Sequence, residues 1–189
     1  QQPEAFYQQY DLSSLKRVYT VGEPLDPNLV LWGRKVFHCE IYDTWFQTET
    51  GSIMVANRPG LEVKPGSMGT PLPYLEAAIL ESEDHPLPDN IQGLLCIRKP
   101  WNSMFRDYVG NPLVYQNKFL GDFYSSGDIA YRDEDGYYWY IGRSDDVINT
   151  AGHLVSPFEI ESVVMEVPHV LDCAVVGLPD ELLYEKVVA

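Results

Sequence analysis

Apolar and polar residues alternate over 15–21, which predicts a short strand that Gly22-Glu23-Pro24 breaks. Asp26 followed by Pro27 is an N-cap with proline at the first helical position, so a helix is expected over 27–37. Residues 40–45 read as the next strand. Strand, helix and strand within about 30 residues form the pattern of a βαβ unit in an α/β layer.

From Gly51 the periodicity shortens. Strand-like runs occur at 53–56, 76–80 and 94–98, separated by Arg58-Pro59-Gly60, Lys64-Pro65-Gly66 and Leu87-Pro88-Asp89. Short strands with Pro/Gly turns at this spacing predict a small barrel or sandwich. Residues 111–119 read as one short helix, and 123–124, 129–132 and 137–142 as further strands. Asp133-Glu134-Asp135-Gly136 is a hairpin turn. Ser156-Pro157 opens another helix, with Glu159 completing a capping box. Ile160, Val163, Val164 and Val167 give that helix an apolar stripe. Residues 170–178 read as a buried strand. The final hairpin–helix–strand unit is too short to close its own core and is expected to begin a second, truncated domain. The fold class expected is mixed α/β and α+β: the end of an α/β layer, a small distorted β-barrel, then that unit.

Composition narrows the classes. The 189 residues are 45% hydrophobic and 22% charged, which excludes disorder, collagen and coiled coil as global readings. The net charge of −15 excludes nucleic acid and anionic membrane as partners on electrostatic grounds. A phosphate ligand therefore needs local backbone N–H groups, a metal ion or a well-placed Arg. The acidity is concentrated: residues 121–189 hold 3 basic and 14 acidic groups. No apolar run approaches the 18 residues a membrane helix needs. Cys39, Cys96 and Cys173 form no CxxC pair or disulfide framework, so a reducing, cytoplasmic setting is expected. The four histidines show no metal-ligand spacing, and neither a GxSxG elbow nor a P-loop occurs.

Four places carry candidate chemistry. Thr44-Trp45-Phe46-Gln47-Thr48-Glu49 lies at a strand end, where ligands gather in α/β layers. The Thr48 hydroxyl beside the Glu49 carboxylate can hold a phosphate and its Mg²⁺, although an ordinary strand-to-turn corner fits as well. Gly22-Glu23-Pro24 lets a flat ligand approach the backbone, or is only a turn. Asp128, after Ser125-Ser126-Gly127, can accept from both hydroxyls of a ribose diol, or is a structural turn residue. Arg143, in the strongly acidic stretch, is either paired with a carboxylate or reserved for a phosphate.

Taken together and in order, these segments resemble the adenylate-forming superfamily, most closely the AMP-forming acetyl-CoA synthetases. The motifs are Val21-Gly22-Glu23-Pro24, Asp43-Thr44-Trp45-Phe46-Gln47-Thr48-Glu49-Thr50-Gly51, Lys64-Pro65-Gly66-Ser67-Met68-Gly69, Tyr124-Ser125-Ser126-Gly127-Asp128 and Gly142-Arg143-Ser144-Asp145-Asp146. The resemblance covers nearly the whole chain. It implies an internal fragment, as do an opening without Met and a close in what reads as the start of a strand. Residues 1–144 would end the large adenylating domain, and 145–189 would begin the small lid domain.

The activity implied is a short-chain acid–CoA ligase using ATP, Mg²⁺ and CoA through acyl-AMP, with the fragment inactive alone. Its partners would be these small molecules. Gly22, Glu23 and Pro24 would line the adenine site with Asp43, Thr44 and Trp45, and Phe46 and Gln47 would be further cofactor-binding residues. Thr48 would contact the α-phosphate and Glu49 would hold Mg²⁺; Asp128 would bind the ribose diol and Arg143 ribose and phosphate. Asp145 would be the hinge, Ala151 and Gly152 would meet CoA, and Val21 and Phe46 would border the acyl pocket. The alternatives are a ligase for a longer or aromatic acid or a carrier-protein acceptor, and a non-catalytic nucleotide-binding homologue.

Three departures from the family pattern stand out. Phe46 replaces the Trp of acetate-specific members, leaving room for roughly one to three carbons at about 0.8 kcal/mol each when buried. Leu154 stands where Arg is common. The family's glycine-rich phosphate loop and catalytic lysine lie outside these 189 residues.

Overall fold

The computed structural model describes residues 3–82 and 85–189. A helical turn, α1 (Glu4–Tyr7), precedes β1 (Val18–Thr20), α2 (Pro27–Phe37) and β2 (Ile41–Trp45). The Asp26 side chain accepts from the Asn28 N–H at the start of α2, and His38 ends the helix in the left-handed region. β1 and β2 pair in parallel, Thr20 opposite Asp43, so the expected βαβ unit is present. α2 lies close on β2 because Gly33 has no side chain: a Cβ there would sit 2.4 Å from Ile41 Cδ1. Leu25, Val30, Ile41, Tyr42 and Val63 fill that interface, each aliphatic chain contributing about 1.5–3 kcal/mol.

β3 (Val55–Ala56), β4 (Ser67–Pro71), β5 (Ala77–Leu80), β6 (Gly93–Arg98), α3 (Pro112–Gln116), β7 (Phe119–Leu120), β8 (Phe123–Arg132) and β9 (Tyr138–Arg143) follow. With β1 and β2 they form one sheet in the order β1-β2-β3-β4-β9-β8-β6-β5, β7 pairing with β8. The class is mixed α+β, as expected. The pairing is an open path, with β1 and β5 at its ends. Met54, Val55, Leu95, Ile97, Tyr124 and Tyr138 form the centre of its core. A second sheet, in the order β11-β10-β13-β12, comprises β10 (Ile148–Thr150), β11 (His153–Val155), β12 (Val176–Asp180) and β13 (Tyr184–Val188), with α4 (Pro157–Val164) between β11 and β12 in sequence. The N-cap half of the expected capping box is seen: the Glu159 N–H donates to Ser156 Oγ at 3.3 Å. Among the described residues no helix is long and apolar enough to cross a membrane.

Several elements differ from expectation. β4 was hidden by Gly66 and Gly69, both at positive φ. β8 runs unbroken through Ser125–Asp128 because Gly127 takes φ 77° inside the strand. α3 ends at Gln116, and Phe119 belongs to β7 instead. The strand expected over 170–178 begins only at Val176, and its pattern is largely exposed. Before it, the Cys173 N–H goes to Asp172 Oδ1 and the Val175 N–H to Glu161 Oε1, so side chains satisfy backbone donors that a partner strand would otherwise take. The apolar stripe of α4 is not buried: Val163 is 66% exposed.

Candidate functional site

β2 is buried along its whole length and delivers Asp43, Thr44 and Trp45 to its carboxyl end, beside the turn that follows β1. β8 and β9 approach from the other side, with Asp128 directly opposite Arg143. These elements enclose a cleft of about 220 Å³. Ten of the residues singled out in the sequence line it: Gly22, Glu23, Pro24, Asp43, Thr44, Trp45, Phe46, Gln47, Asp128 and Arg143. Met68 and Tyr140 also line it and were missed. Met68 lay in the unrecognised β4, and Tyr140 stands opposite Ala130, one place away from what counting outward from the 133–136 turn gives.

Asp128 is the centre of the cleft's polar network and is 3% exposed. Its Oδ2 accepts from Trp45 Nε1 at 2.9 Å and Gln47 Nε2 at 3.0 Å. Its Oδ1 accepts from Arg143 Nη1 at 2.9 Å. Burial raises the carboxyl above its ordinary range, and the Trp45 hydrogen bond and the Arg143 charge pull it back. Gln47 is itself fixed: its amide oxygen accepts from the Tyr124 hydroxyl at 2.8 Å, and Nε2 also reaches Ser126 O at 3.1 Å. Gly127 is required here, since a Cβ would lie 3.1 Å from Arg143 Nη2 and φ is positive.

Asp43 is the second buried carboxylate, 6% exposed. Burial pushes its carboxyl up to about 6, against hydrogen bonds from the Thr44 N–H and the Thr20 hydroxyl. The folded value lies above the ordinary 3.8, so folding favours the protonated form. That contribution to stability is complete below about pH 4 and is lost as pH rises through about 6. Asp43→Asn, whose amide oxygen can keep both hydrogen bonds, is expected to be more stable than wild type at pH 7 by on the order of 2 kcal/mol. The difference should shrink toward pH 4. Urea unfolding of both proteins across this range checks it; a difference independent of pH would overturn burial as the cause.

Other candidates lie outside the cleft. Thr48 is exposed and Glu49 half-buried on the following loop. Glu49 Oε1 accepts from the Tyr108 hydroxyl at 2.5 Å, and burial together with this carboxylate pushes Tyr108 up to about 12. Val21 is 58% exposed; its expected acyl-pocket companion Phe46, 44% exposed, lines the cleft itself. Asp145 Oδ1 is 3.4 Å from Arg143 Nε and borders a neighbouring cavity. Ala151 and Gly152, both at positive φ, make the two-residue turn joining β10 to β11, and the Ala151 N–H donates to Leu183 O at 2.8 Å. Among the described residues, no group of three or more His, Cys, Asp or Glu is placed to hold a metal ion.

Comparison with known proteins finds two family models. One, described as AMP-binding enzyme, matches residues 1–109; the other, AMP-binding enzyme C-terminal domain, matches residues 159–189. The acetyl-coenzyme A synthetase of Bacillus subtilis is 48% identical over 181 residues, covering 95% of this chain and 32% of the relative. That of Methylobacillus flagellatus is 44% identical over 188 residues, covering 95% and 29%. Among solved structures, an anthranilate CoA ligase in complex with anthranoyl-AMP superposes with a TM-score of 0.83 at 34% identity, covering 95% of this chain and 34% of that one. A benzoate CoA ligase from Burkholderia xenovorans LB400 gives 0.77 at 34% identity, covering 92% and 34%. The chain thus spans about a third of the length of these relatives.

Proposed function

The chain belongs to the AMP-binding enzyme family, and on that premise we propose that the full-length protein containing it is an AMP-forming acid–CoA ligase for a short carboxylate. Residues 1–144 end its adenylating domain, and residues 145–189 begin its lid. The observation that carries this reading is the buried Asp128 carboxylate, held by Trp45, Gln47 and Arg143 in the wall of the cleft.

A carboxylate offers about four lone-pair sites, and three are engaged here. A ribose diol needs two, so one present donor must leave. Arg143 is the mobile one: its side chain is 39% exposed, whereas Trp45 is buried and Gln47 is tied to Tyr124. Nucleotide binding then releases Arg143 from Asp128 toward the phosphates. Gly22, Glu23 and Pro24 with residues 43–47 take the adenine, and Thr48 donates to the α-phosphate. Ala151 and Gly152 meet CoA, Asp145 is the hinge, and Val21 and Phe46 border the acyl group.

Mg²⁺ fits a site of this kind, because it is commonly held by one or two carboxylates plus substrate phosphates and water, and needs no all-protein cage. Glu49 would hold it. The ion would neutralise phosphate charge and polarise the α-phosphate, which this acidic chain otherwise lacks the cations to do. Leu154 supplies no donor where the family commonly has one.

The test is pyrophosphate release by the full-length protein with ATP and Mg²⁺ across acetate, propionate, butyrate and benzoate, with and without CoA. Release with a short acid and CoA-dependent turnover is expected. Phe46→Trp should shift preference toward acetate by roughly tenfold, the worth of one or two buried methylenes. Release with benzoate alone would favour the aromatic reading, which the likeness to anthranilate and benzoate ligases supports. No release with any acid would point to a non-catalytic nucleotide-binding protein.

A further inference from the structure

Residues 101–108 make a dense set of hydrogen bonds to residues 49–52, the loop that follows the cleft. Trp101 Nε1 and Ser103 Oγ both donate to Thr50 O, at 2.9 and 2.7 Å. The Phe105 N–H donates to Glu49 O at 2.9 Å. Ser103 Oγ is 2.7 Å from Ser52 Oγ. Gly51 allows the approach, since a Cβ there would fall 2.3 Å from Ser103 O. Thr50, fully buried, braces the loop from inside: its Oγ1 accepts from the Gln47 N–H at 2.9 Å. The loop's backbone is therefore held from two sides.

The Glu49 side chain is held as well. Its Oε1 accepts from the Tyr108 hydroxyl at 2.5 Å. Phe105 and Tyr108, three residues apart, thus grip the backbone and the carboxylate of the same residue. The tyrosine is not free to swing. Its ring packs edge-on against Phe105 at 5.2 Å, and Phe105 packs in turn against Tyr115 and Tyr124. The hydrogen bond engages Oε1 and restrains rotation of the carboxylate.

We infer that Tyr108 is a positioning residue that fixes the Glu49 carboxylate for a divalent cation bound with the nucleotide. The inference rests on the reading of Glu49 as the carboxylate that faces Mg²⁺. A free Glu side chain loses rotamer freedom when it captures an ion. Here folding has already ordered it, so ion binding does not bear that cost. Neither composition nor motif spacing points to Tyr108, because it reaches Glu49 across 59 positions of sequence.

The test is calorimetric ATP binding to the full-length protein, once in EDTA and once at saturating Mg²⁺, for wild type, Tyr108→Phe and Glu49→Gln. Tyr108→Phe keeps the ring and its packing, and a thermal melt checks that each variant folds. Tyr108→Phe is expected to leave the EDTA affinity unchanged and to cut the enhancement by Mg²⁺ roughly tenfold, the usual scale for a residue that orients a ligand. Glu49→Gln should abolish the enhancement. If Glu49→Gln abolishes it and Tyr108→Phe retains it in full, the positioning role is wrong and the reading of Glu49 stands. If Tyr108→Phe weakens ATP equally with and without Mg²⁺, Tyr108 acts through the loop and not through the cation, which also overturns the inference. If Glu49→Gln retains the enhancement, the reading of Glu49 fails and the inference falls with it.

Discussion

Asp128→Asn in the full-length protein is expected to weaken ATP and AMP binding by about two orders of magnitude, or roughly 3 kcal/mol. The change is nearly isosteric, so the effect comes from charge and donor placement. Trp45, Gln47 and Arg143 all present N–H groups to the wild-type carboxylate. An amide must turn its NH₂ toward one of these sides, and either choice sets donor against donor. A hydroxyl pair from ribose then meets one good acceptor in place of two. Arg143 loses the Asp128 anion but keeps the Asp145 carboxylate 3.4 Å from Nε, so the relief of competition offsets only part of the loss. Calorimetric titration with AMP checks the affinity, and a thermal melt separates a binding defect from a folding one. A folded Asp128→Asn protein that binds AMP like wild type would sink the assignment of the cleft to a nucleotide.

The legibility of this pair in the sequence was incomplete for a definable reason. The Asp133–Gly136 turn was plain, but counting outward from it sets Arg132 against Tyr137; the Asp133 N–H instead donates to Tyr137 O at 2.8 Å, so Arg132 stands opposite Tyr138 and Tyr131 opposite Trp139. Continued without interruption, that observed register would set Gly142 against Asp128. The register shifts between Ile129 and Ala130, and that one extra residue puts Arg143 there instead. A slip of one residue exchanges the faces of a strand, so the irregularity decides whether the cleft has its guanidinium. Nothing in the residue types announces it. Helix α2 was legible to the residue because capping chemistry is local: Asp26 and Pro27 stand next to each other. The cleft's lining along β2 was legible because a strand end is local too. The contacts of residues 101–108 with the Glu49 loop were not, because they join segments about 50 residues apart with no periodic signal in either. The final strand failed for a third reason. An apolar run shows that burial is available, and burial as a strand depends on a pairing partner that residues 170–175 do not have among the described residues.

Gly69→Ala is expected to lower stability by about 3 kcal/mol or more, and Gly60→Ala by only about 1–2 kcal/mol. The two glycines share nearly the same backbone, with φ of 88° and 90°. A side chain at either one carries the penalty of the left-handed region. They differ in what a Cβ would meet. At Gly60 nothing lies within 4 Å, whereas at Gly69 the backbone of Ala56 lies 2.2 Å away and Asn57 N 2.3 Å away. Backbone atoms cannot rotate aside as a side chain can, so β3 and β4 must separate. That movement has a route to the cleft. The Asn57 N–H donates to Asp43 O at 3.0 Å, and Asn57 Nδ2 donates to Ser67 O at 2.7 Å. Met68, the residue before Gly69, forms part of the cleft wall. Gly69→Ala should therefore also weaken nucleotide binding without touching any group that contacts the ligand, whereas Gly60→Ala should not. Urea unfolding of both variants, paired with AMP titration, measures the two effects together. Equal losses of stability at the two sites would mean that β3 and β4 are not held as closely as Gly69 allows, and the link from this turn to Asp43 would go with that.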